Sequence, residues 1–429
     1  MTQAATPSLR EFTAACFKVG CLGFGGPAGQ IALMHRVFVD EKKWIDEPRY
    51  MHALNYCMLL PGPEAQQLAT YVGWLLHGVR GGLIAGALFV LPGALIVLGL
   101  SWLYAAAHSL PLVAALFFGV KAAVFALVLE ALIRIGKRAL RDSQAWLIAI
   151  ASFLALFLAS APFPFVILTA AIVGALFGVR AAPIEPDKDV PPARGALMAA
   201  AACATAWLAP LALAFAVLGP AHVLTRVAQL FSTLALVTFG GAYASLAYLQ
   251  QQAVEAQAWL SAAQMIDGLG LAETTPGPLV LVNQFVGFLA GWQAEGGGWA
   301  LALAGAALAT WCTFMPSFVW IFAGAPYAER LRANRFAQGA LRAITAAALG
   351  VIANLAIWFA AHVFFASVTR APLGVGLSIL APDWGSFQPL AFALAAIAAA
   401  ALLRFKAPVL ALILGAGLAG GALAMLGLI

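Results

Sequence analysis

The sequence predicts an all-α integral membrane protein: an inverted tandem repeat whose helices break near the membrane midplane. Three observations carry this: a charge-poor, apolar composition, landmarks that recur at one spacing, and basic loops that face neutral twins. Hydrophobic residues make up 63% of the chain and charged residues only 9%, with a mean hydropathy of +0.95. A soluble domain devotes about 25% of its residues to charge. The excess suits lipid-facing helices, each of which needs about 20 apolar residues to cross.

Apolar segments lie at 10–26, 27–38, 50–77, 82–104, 111–133, 144–160 and 162–179. Others follow at 196–219, 228–250, 264–292, 299–323, 339–364, 387–403 and 407–428. Alanine, leucine and glycine dominate them without two-residue alternation, so they read as helices and not barrel strands. Residues 1–11 are polar and the first apolar stretch contains Lys18, so no cleavable leader is expected. The five cysteines form no CxxC and no Cys/His cluster, which predicts small buried residues, no metal site and no disulfide frame. The net charge of +6 sits in loops, where it sets orientation in the membrane and does not point to nucleic acid.

The repeat comes from three pairs. Phe24-Gly25-Gly26 recurs as Phe239-Gly240-Gly241, Trp44-Ile45 as Trp259-Leu260, and Pro61-Gly62-Pro63 as Pro276-Gly277-Pro278. Every pair is 215 residues apart (25 to 240, 44 to 259, 61 to 276). After one deletion Tyr71-Val72-Gly73 matches Phe285-Val286-Gly287; Lys121 and Arg342 are weaker echoes. The expected organisation is a first half at 1–180, a cytoplasmic proline-rich linker at 181–195, a linking transmembrane helix at 196–221 and a second half at 222–429.

Loop 34–49 carries Arg36, Lys42, Lys43 and Arg49, whereas 249–264 has no basic residue. Loop 134–141 is basic and its equivalent near 355–362 is not. The pattern reverses for 326–335, with Arg330, Arg332 and Arg335, against 105–114, and for Arg404 and Lys406 against 161–164. Basic loops favour the cytoplasm, so the halves are expected upside down relative to each other, as in many secondary transporters. Placing 34–49 and 78–81 on one side makes 50–77 enter and leave together. That predicts about nine full crossings and about four re-entrant hairpins, with the N-terminus cytoplasmic and the C-terminus outside.

Proline lacks a backbone donor and clashes with the preceding turn, so Pro-Gly-Pro stops a helix. In lipid the freed backbone groups need protein or a water-filled cavity. Helices restarting at Pro63 and Pro278 would aim free N–H groups and positive dipole ends into that cavity, an anion-binding arrangement.

The stretches FKVGCLGFGGPAGQIALMH and LPGPEAQQLATYVGWLLHGVRGGLIAGALFVLPG, with TFGGAYASL, TTPGPLVLVNQFVGF and MPSF in the second half, resemble the chromate ion transporter family in its long, two-half form. The resemblance covers nearly the whole chain. It implies export of chromate from the cytoplasm.

The expected substrate-binding residues are Lys18, Gly25, Gly26, Pro27, Pro61, Gly62, Pro63, Gln66 and Gln67 in the first half. In the second they are Gly240, Gly241, Thr274, Thr275, Pro276, Gly277, Pro278 and Asn283. Thr70 and Gln284 add polar side chains around the breaks. These polar groups can replace an oxyanion's water shell, or simply satisfy freed backbone. Glu64 follows directly on Pro63 and has no acidic counterpart, since Leu279 stands there. It reads either as a proton-coupling or gating acid beside the anion, or as a carboxylate offsetting the helix dipole. Glu273 is expected at the surface; Lys121 and Arg342 are expected to snorkel. Glu130 and Arg134 are expected to pair along one helix face.

The expected function is secondary-active chromate export across the inner (plasma) membrane by alternating access, with no cofactor. A carrier of sulfate or another tetrahedral oxyanion, or an anion channel, would use the same features. The scattered cysteines and missing nucleotide fingerprint argue against an embedded reductase. Membrane lipid is the expected surrounding partner, and a homodimer is open to the chain.

Overall fold

The computed structural model describes residues 7–177, 193–239, 241–325, 334–374 and 377–429. Most of the expected linker at 181–195 and most of the basic loop 326–335, including Arg330 and Arg332, lie outside the described residues, as does the side chain of Arg335.

The chain is an all-α membrane protein of two repeated halves. In the first, α1 (Leu9–Leu22) and α2 (Gly26–His35) lead through a π-helical turn (Arg36–Glu41) to α3 (Glu47–Cys57), α4 (Glu64–Ala107), α5 (Pro111–Ala139), α6 (Ser143–Ala159) and α7 (Phe163–Phe177). A linking helix, α8 (Ala193–Leu218), follows. The second half has α9 (Val223–Val237), α10 (Ala242–Leu249), a π-helical turn (Gln250–Ala256), α11 (Ala262–Thr274), a short 3₁₀ turn (Leu279–Leu281), α12 (Val282–Gln293) and α13 (Trp299–Gly324). It ends with α14 (Arg335–Phe364), α15 (Pro389–Phe405) and α16 (Val409–Met425).

Local chemistry sets these boundaries. Ser8 caps α1 by accepting from the Glu11 amide, the first half of a capping box. Asp46 and Asp142 cap α3 and α6 by accepting from the amides of Arg49 and Ala145. Pro111 and Pro389 start α5 and α15, where a missing amide costs nothing.

Among the described residues, five helices are long and apolar enough to cross a membrane: α4, α5, α13 and the apolar parts of α8 and α14. Helix α4 has 44 residues, roughly 66 Å at 1.5 Å per residue, about twice the hydrocarbon thickness. It is not one rod. His77 and Gly78 leave helical geometry (φ −135° and +60°), dividing it into a half-length arm, 64–76, and a crossing arm, 79–107. The sequence suggested a separate loop at 78–81; the chain turns there within two residues instead.

The repeat persists in backbone detail. Lys43 and Ala258, 215 apart, both take left-handed φ of 52° and 49°. The amides of Lys42 and Gln257 donate to the carbonyls of Val37 and Gln252, and those of Trp44 and Trp259 to Phe38 and Ala253. Later, Ser160 and Lys406 end α6 and α15 in the same left-handed conformation. One insertion has no counterpart. Between α14 and α15 lies an antiparallel hairpin, β1 (Val368–Gly374) with β2 (Leu377–Pro382), pairing Val368 with Pro382. It replaces the short connection 140–142 of the first half. Its Arg370 pairs with Glu255 at 2.7 Å.

Two compact units form. The first comprises 1–101, 182–242 and 275–334; the second comprises 102–181, 243–274 and 335–429. In the first, α12 and α13 approach so closely that a methyl group on Gly305 would lie 2.1 Å from the Gly287 carbonyl oxygen. In the second, α5 and α16 meet at Gly119 and Gly420 in the same way. Without a hydrophobic force between helices in lipid, such small-residue contacts let backbones pack.

Candidate functional site

Both Pro-Gly-Pro breaks lie in the first unit. Gly62 and Gly277 sit at φ +108° and +99°, a region that side chains resist, which is why glycine separates the prolines. The breaks are crossed between halves. The Gly62 amide donates to the Thr238 carbonyl at 2.9 Å, and the Gly277 amide donates to the Gly23 carbonyl at 3.0 Å. Thr238 is Gly23 plus 215, and Gly277 is Gly62 plus 215. Such reciprocal contact requires a local two-fold relation; a translated repeat cannot produce it. Each cradle thus pairs one half's Pro-Gly-Pro with the other half's glycine break.

The first cradle is less deeply buried than the second, although Pro63 is buried. Pro61, Gly62 and Glu64 are half-buried, as is Gly241, which has φ +97°. A methyl group on Gly241 would lie 3.7 Å from Glu64 Oε1, so the acid covers this break. Glu64 is the first residue of α4, where free amides gather. Inside the loop, Gln67 Nε2 donates to the Pro61 carbonyl at 2.7 Å. Gly240 lies outside the described residues.

The second cradle is closed. Pro276, Gly277 and Pro278 are buried, and fully buried Gln30 fills the space. Its Nε2 donates to the carbonyls of Gly277 at 2.6 Å and Gly23 at 3.2 Å. Gly93 of α4 presses on the Pro276 carbonyl, where a methyl group would come within 2.2 Å. The position equivalent to Gln30 holds Ser245 (30 plus 215). Sequence reasoning missed Gln30; its signal was a polar side chain seven residues after a break glycine.

Several buried polar atoms lie on α2, on the first turns of α4, on α12 and on α13. Gln30 Oε1, Gln66 Oε1, Gln67 Oε1, Asn283 Oδ1, Gln284 Oε1 and Ser317 Oγ find no hydrogen-bond partner among the described residues. Each would cost about 1–3 kcal/mol if left dry, so the region calls for a polar occupant. Gln66 donates to the Phe314 carbonyl, Gln284 to Ala94 and Asn283 to Thr313 Oγ1. The Thr70 hydroxyl instead donates to the Gln66 carbonyl in its own helix. A half-turn of any of these amides exchanges its oxygen for NH₂ donors.

The remaining expected residues divide. Gly25 and Gly26 take φ +85° and +69°, with Pro27 starting α2, and these three are exposed or half-buried. Thr275 is buried beside Pro276. Lys18 is exposed on α1, whose buried face is formed by Phe12, Ala15, Cys16 and Val19, so it is not brought to either cradle. Thr274 belongs to the second unit, where it donates to the Leu271 carbonyl and lines an apolar cleft with Leu116 and Val120.

Helix α11 corrects two expectations. Glu273 is only 8% exposed, accepting a 2.6 Å hydrogen bond from the Tyr243 hydroxyl. Its residue type suggests a surface, but α11 buries the face that carries it. Lys121 does not simply snorkel; its Nζ stands 3.6 Å from buried Asp267, which also accepts from Tyr104 at 2.8 Å. Asp267 escaped sequence reasoning because its partner lies 146 residues away (121 to 267). Arg342 pairs with Asp142, and Glu130 with Arg134 across one turn. The cysteines are free, four of them buried. No group of metal-binding side chains occurs among the described residues.

At the end of α2, His35 hydrogen-bonds Glu47 and lies 3.3 Å from Asp40. That hydrogen bond, with both negative charges, raises its pKa above the usual 6.5.

Comparison with known proteins agrees with this architecture. The chromate transporter family model matches residues 10–175 and 225–421, one stretch in each half. A chromate transport protein of Pseudomonas aeruginosa is 34% identical over 98% of this chain and 94% of its own length. One from Cupriavidus metallidurans is 29% identical over 82% of this chain and 83% of its own. No solved structure matches. A duplicated membrane fold, its paired breaks and a family match across both halves agree: the chain belongs to the chromate transporter family.

Proposed function

We propose that this protein exports chromate across the inner membrane by secondary-active alternating access, holding the dianion at the crossed helix breaks. The observation that carries the reading is the reciprocal pair of hydrogen bonds, Gly62 to Thr238 and Gly277 to Gly23. They gather break backbone from both halves and leave the first turn of α4 facing the less buried cradle. Together with the reversed basic loops, the local two-fold is read as an axis in the membrane plane, the hallmark of inverted repeats. The family and the names of both relatives support chromate as cargo.

The mechanism follows from electrostatics. Amides at the start of α4 supply donors and a positive dipole end. Glu64 stands at that helix start. A charged acid repels an oxyanion, whereas a protonated one donates a hydrogen bond to it, so proton uptake at Glu64 admits the dianion. The amides of Gln66, Gln67 and Asn283 then take the place of lost water. An inside-negative potential drives each negative charge outward by about 2.3 kcal/mol per 100 mV, so a dianion needs no ATP.

The deciding experiment measures flux into proteoliposomes under imposed pH and voltage gradients, comparing chromate, sulfate and molybdate. Saturable, voltage-driven chromate flux is expected, with Glu64→Gln transporting independently of pH. Sulfate carried faster than chromate would reassign the cargo. Non-saturating flux would indicate a channel, and unchanged pH dependence in the variant would remove Glu64 from the mechanism.

A further inference from the structure

A second site lies at the opposite chemical extreme from the half-buried cradle. In the second unit, the C-terminal end of α5, the connection after it and α14 border an open cleft of about 360 Å³ lined by Arg138, Ala139, Arg141, Arg342 and Thr345. The three guanidinium groups are not equally engaged. Arg342 is held by Asp142, the residue that caps α6. Arg138 and Arg141 are exposed, and their guanidinium groups have no ion-pair or hydrogen-bond partner among the described residues. The Thr345 hydroxyl is committed to its own helix, donating back to the Leu341 carbonyl at 2.8 Å. Lys137 adds another exposed positive charge one residue away.

Planar guanidinium forks match phosphate oxygens in paired hydrogen bonds, which an isolated lysine cannot imitate. The cleft is about twelve times the roughly 30 Å³ that one water occupies in the liquid, more room than a bare tetrahedral ion fills. Helix α6 begins directly after Asp142 and turns an apolar stripe outward: Trp146, Leu147, Ile150 and Leu154 are 43–69% exposed. Tryptophan one turn into a membrane helix marks the headgroup level. Uncommitted arginines at that level, continuous with an outward apolar stripe, fit one amphiphile better than a free ion. The phosphate would lie on the arginines and the acyl chains along α6.

We infer that Arg138, Arg141 and Arg342 form a binding site for the phosphate of an anionic phospholipid, seated at the α5–α6–α14 corner. Basic pockets between transmembrane helices take such headgroups. The site is independent of the transport reading, since none of its residues belongs to the cradles.

Native mass spectrometry on the full chain tests it, titrating phosphatidylglycerol, phosphatidylcholine and inorganic phosphate separately. Phosphatidylglycerol adducts should outlast phosphatidylcholine adducts, and Arg138→Gln/Arg141→Gln should weaken them about tenfold while Arg138→Lys/Arg141→Lys retains part. Equal retention of the two lipids overturns the site, as does undiminished binding by the glutamine variant. If inorganic phosphate displaces phosphatidylglycerol at equal concentration, the pocket serves a free oxyanion and the lipid assignment fails. Should the glutamine variant not fold, the lysine variant and the phosphate competition decide between the same outcomes, because neither removes charge.

Discussion

Replacing the two break glycines one at a time separates shape from chemistry. An alanine at Gly62 or Gly277 must adopt φ near +108° or +99°, a strain of about 1–3 kcal/mol. The added methyl groups meet similar obstacles. At Gly62 it lies 3.1 Å from Gln67 Nε2 and 3.5 Å from Ser317 Oγ; at Gly277 it lies 3.1 Å from Leu281 Cδ1 and 3.4 Å from Gly93 Cα. Thermal unfolding should therefore show comparable losses, within about 1 kcal/mol of each other. Transport should not be comparable. At Gly62 the displaced group is Gln67, whose amide holds the Pro61 carbonyl inside the first cradle. At Gly277 the cradle is already filled by Gln30. Chromate flux per folded protein in proteoliposomes should fall at least about tenfold further for Gly62→Ala, a difference of about 1.4 kcal/mol in barrier. Equal flux losses at matched stability would refute the claim that the first cradle does the binding.

Other substitutions probe the supports. Gln30→Leu removes donors to two carbonyls, but Gly23 keeps the Gly277 amide, so one buried carbonyl is orphaned. Losing the unpartnered Oε1 offsets part of this, and differential scanning fluorimetry should read about 1–2 kcal/mol of destabilisation. Lys121→Met leaves Asp267 buried without its cation and should cost about 3 kcal/mol, whereas Lys121→Met/Asp267→Asn should recover most of it. A double variant no more stable than the single one would mean that the pair is not coupled. His35 titrates above 6.5 when folded, so its contribution is complete below the unfolded value and is lost as pH rises through the raised one. The melting-temperature gap between wild type and His35→Asn should therefore shrink with rising pH; a constant gap would exclude the ion pair.

Much of the architecture was legible because breaks in membrane helices need rare residues. Glycine flanked by prolines, or paired glycines after phenylalanine, announced the cradles and their spacing of 215, and the backbone angles at Gly62 and Gly277 repeat it. Partnership was not legible. That Gly62 bonds Thr238, or Lys121 faces Asp267, depends on folding segments far apart in sequence. Exposure failed for Glu273 because an acid in an apolar helix suggests water, while a tyrosine hydroxyl supplies the solvation instead. Lys18 misled in the other direction: a charge inside an apolar segment suggested a ligand, but the helical period turns it away from the buried face of α1. The β1–β2 hairpin left no echo, since an insertion present in one half breaks the periodicity that revealed the others.

Identical ancestry does not make the two cradles identical in chemistry. Both use a left-handed glycine between prolines and both bond across to the other half, so the scaffold is symmetric. Their fillings differ at several residues, Gln67 standing against Gly62 where Leu281 stands against Gly277. The first has Glu64 where the second has Leu279, and the second is plugged by Gln30 where the equivalent position holds Ser245. A neutral amide locked onto two carbonyls is static: it titrates at no physiological pH, and leaving costs two hydrogen bonds. A carboxylate at a helix start changes charge with one proton. The asymmetry therefore assigns separate jobs within one symmetric frame, the second cradle fixing the register of the crossed breaks and the first changing occupancy. Exchanging the plug tests this division: Ser245→Gln with Gln30→Ser should weaken the second cradle's hold without restoring pH dependence to a Glu64→Gln background. Restored pH dependence there would show that the titrating group lies elsewhere.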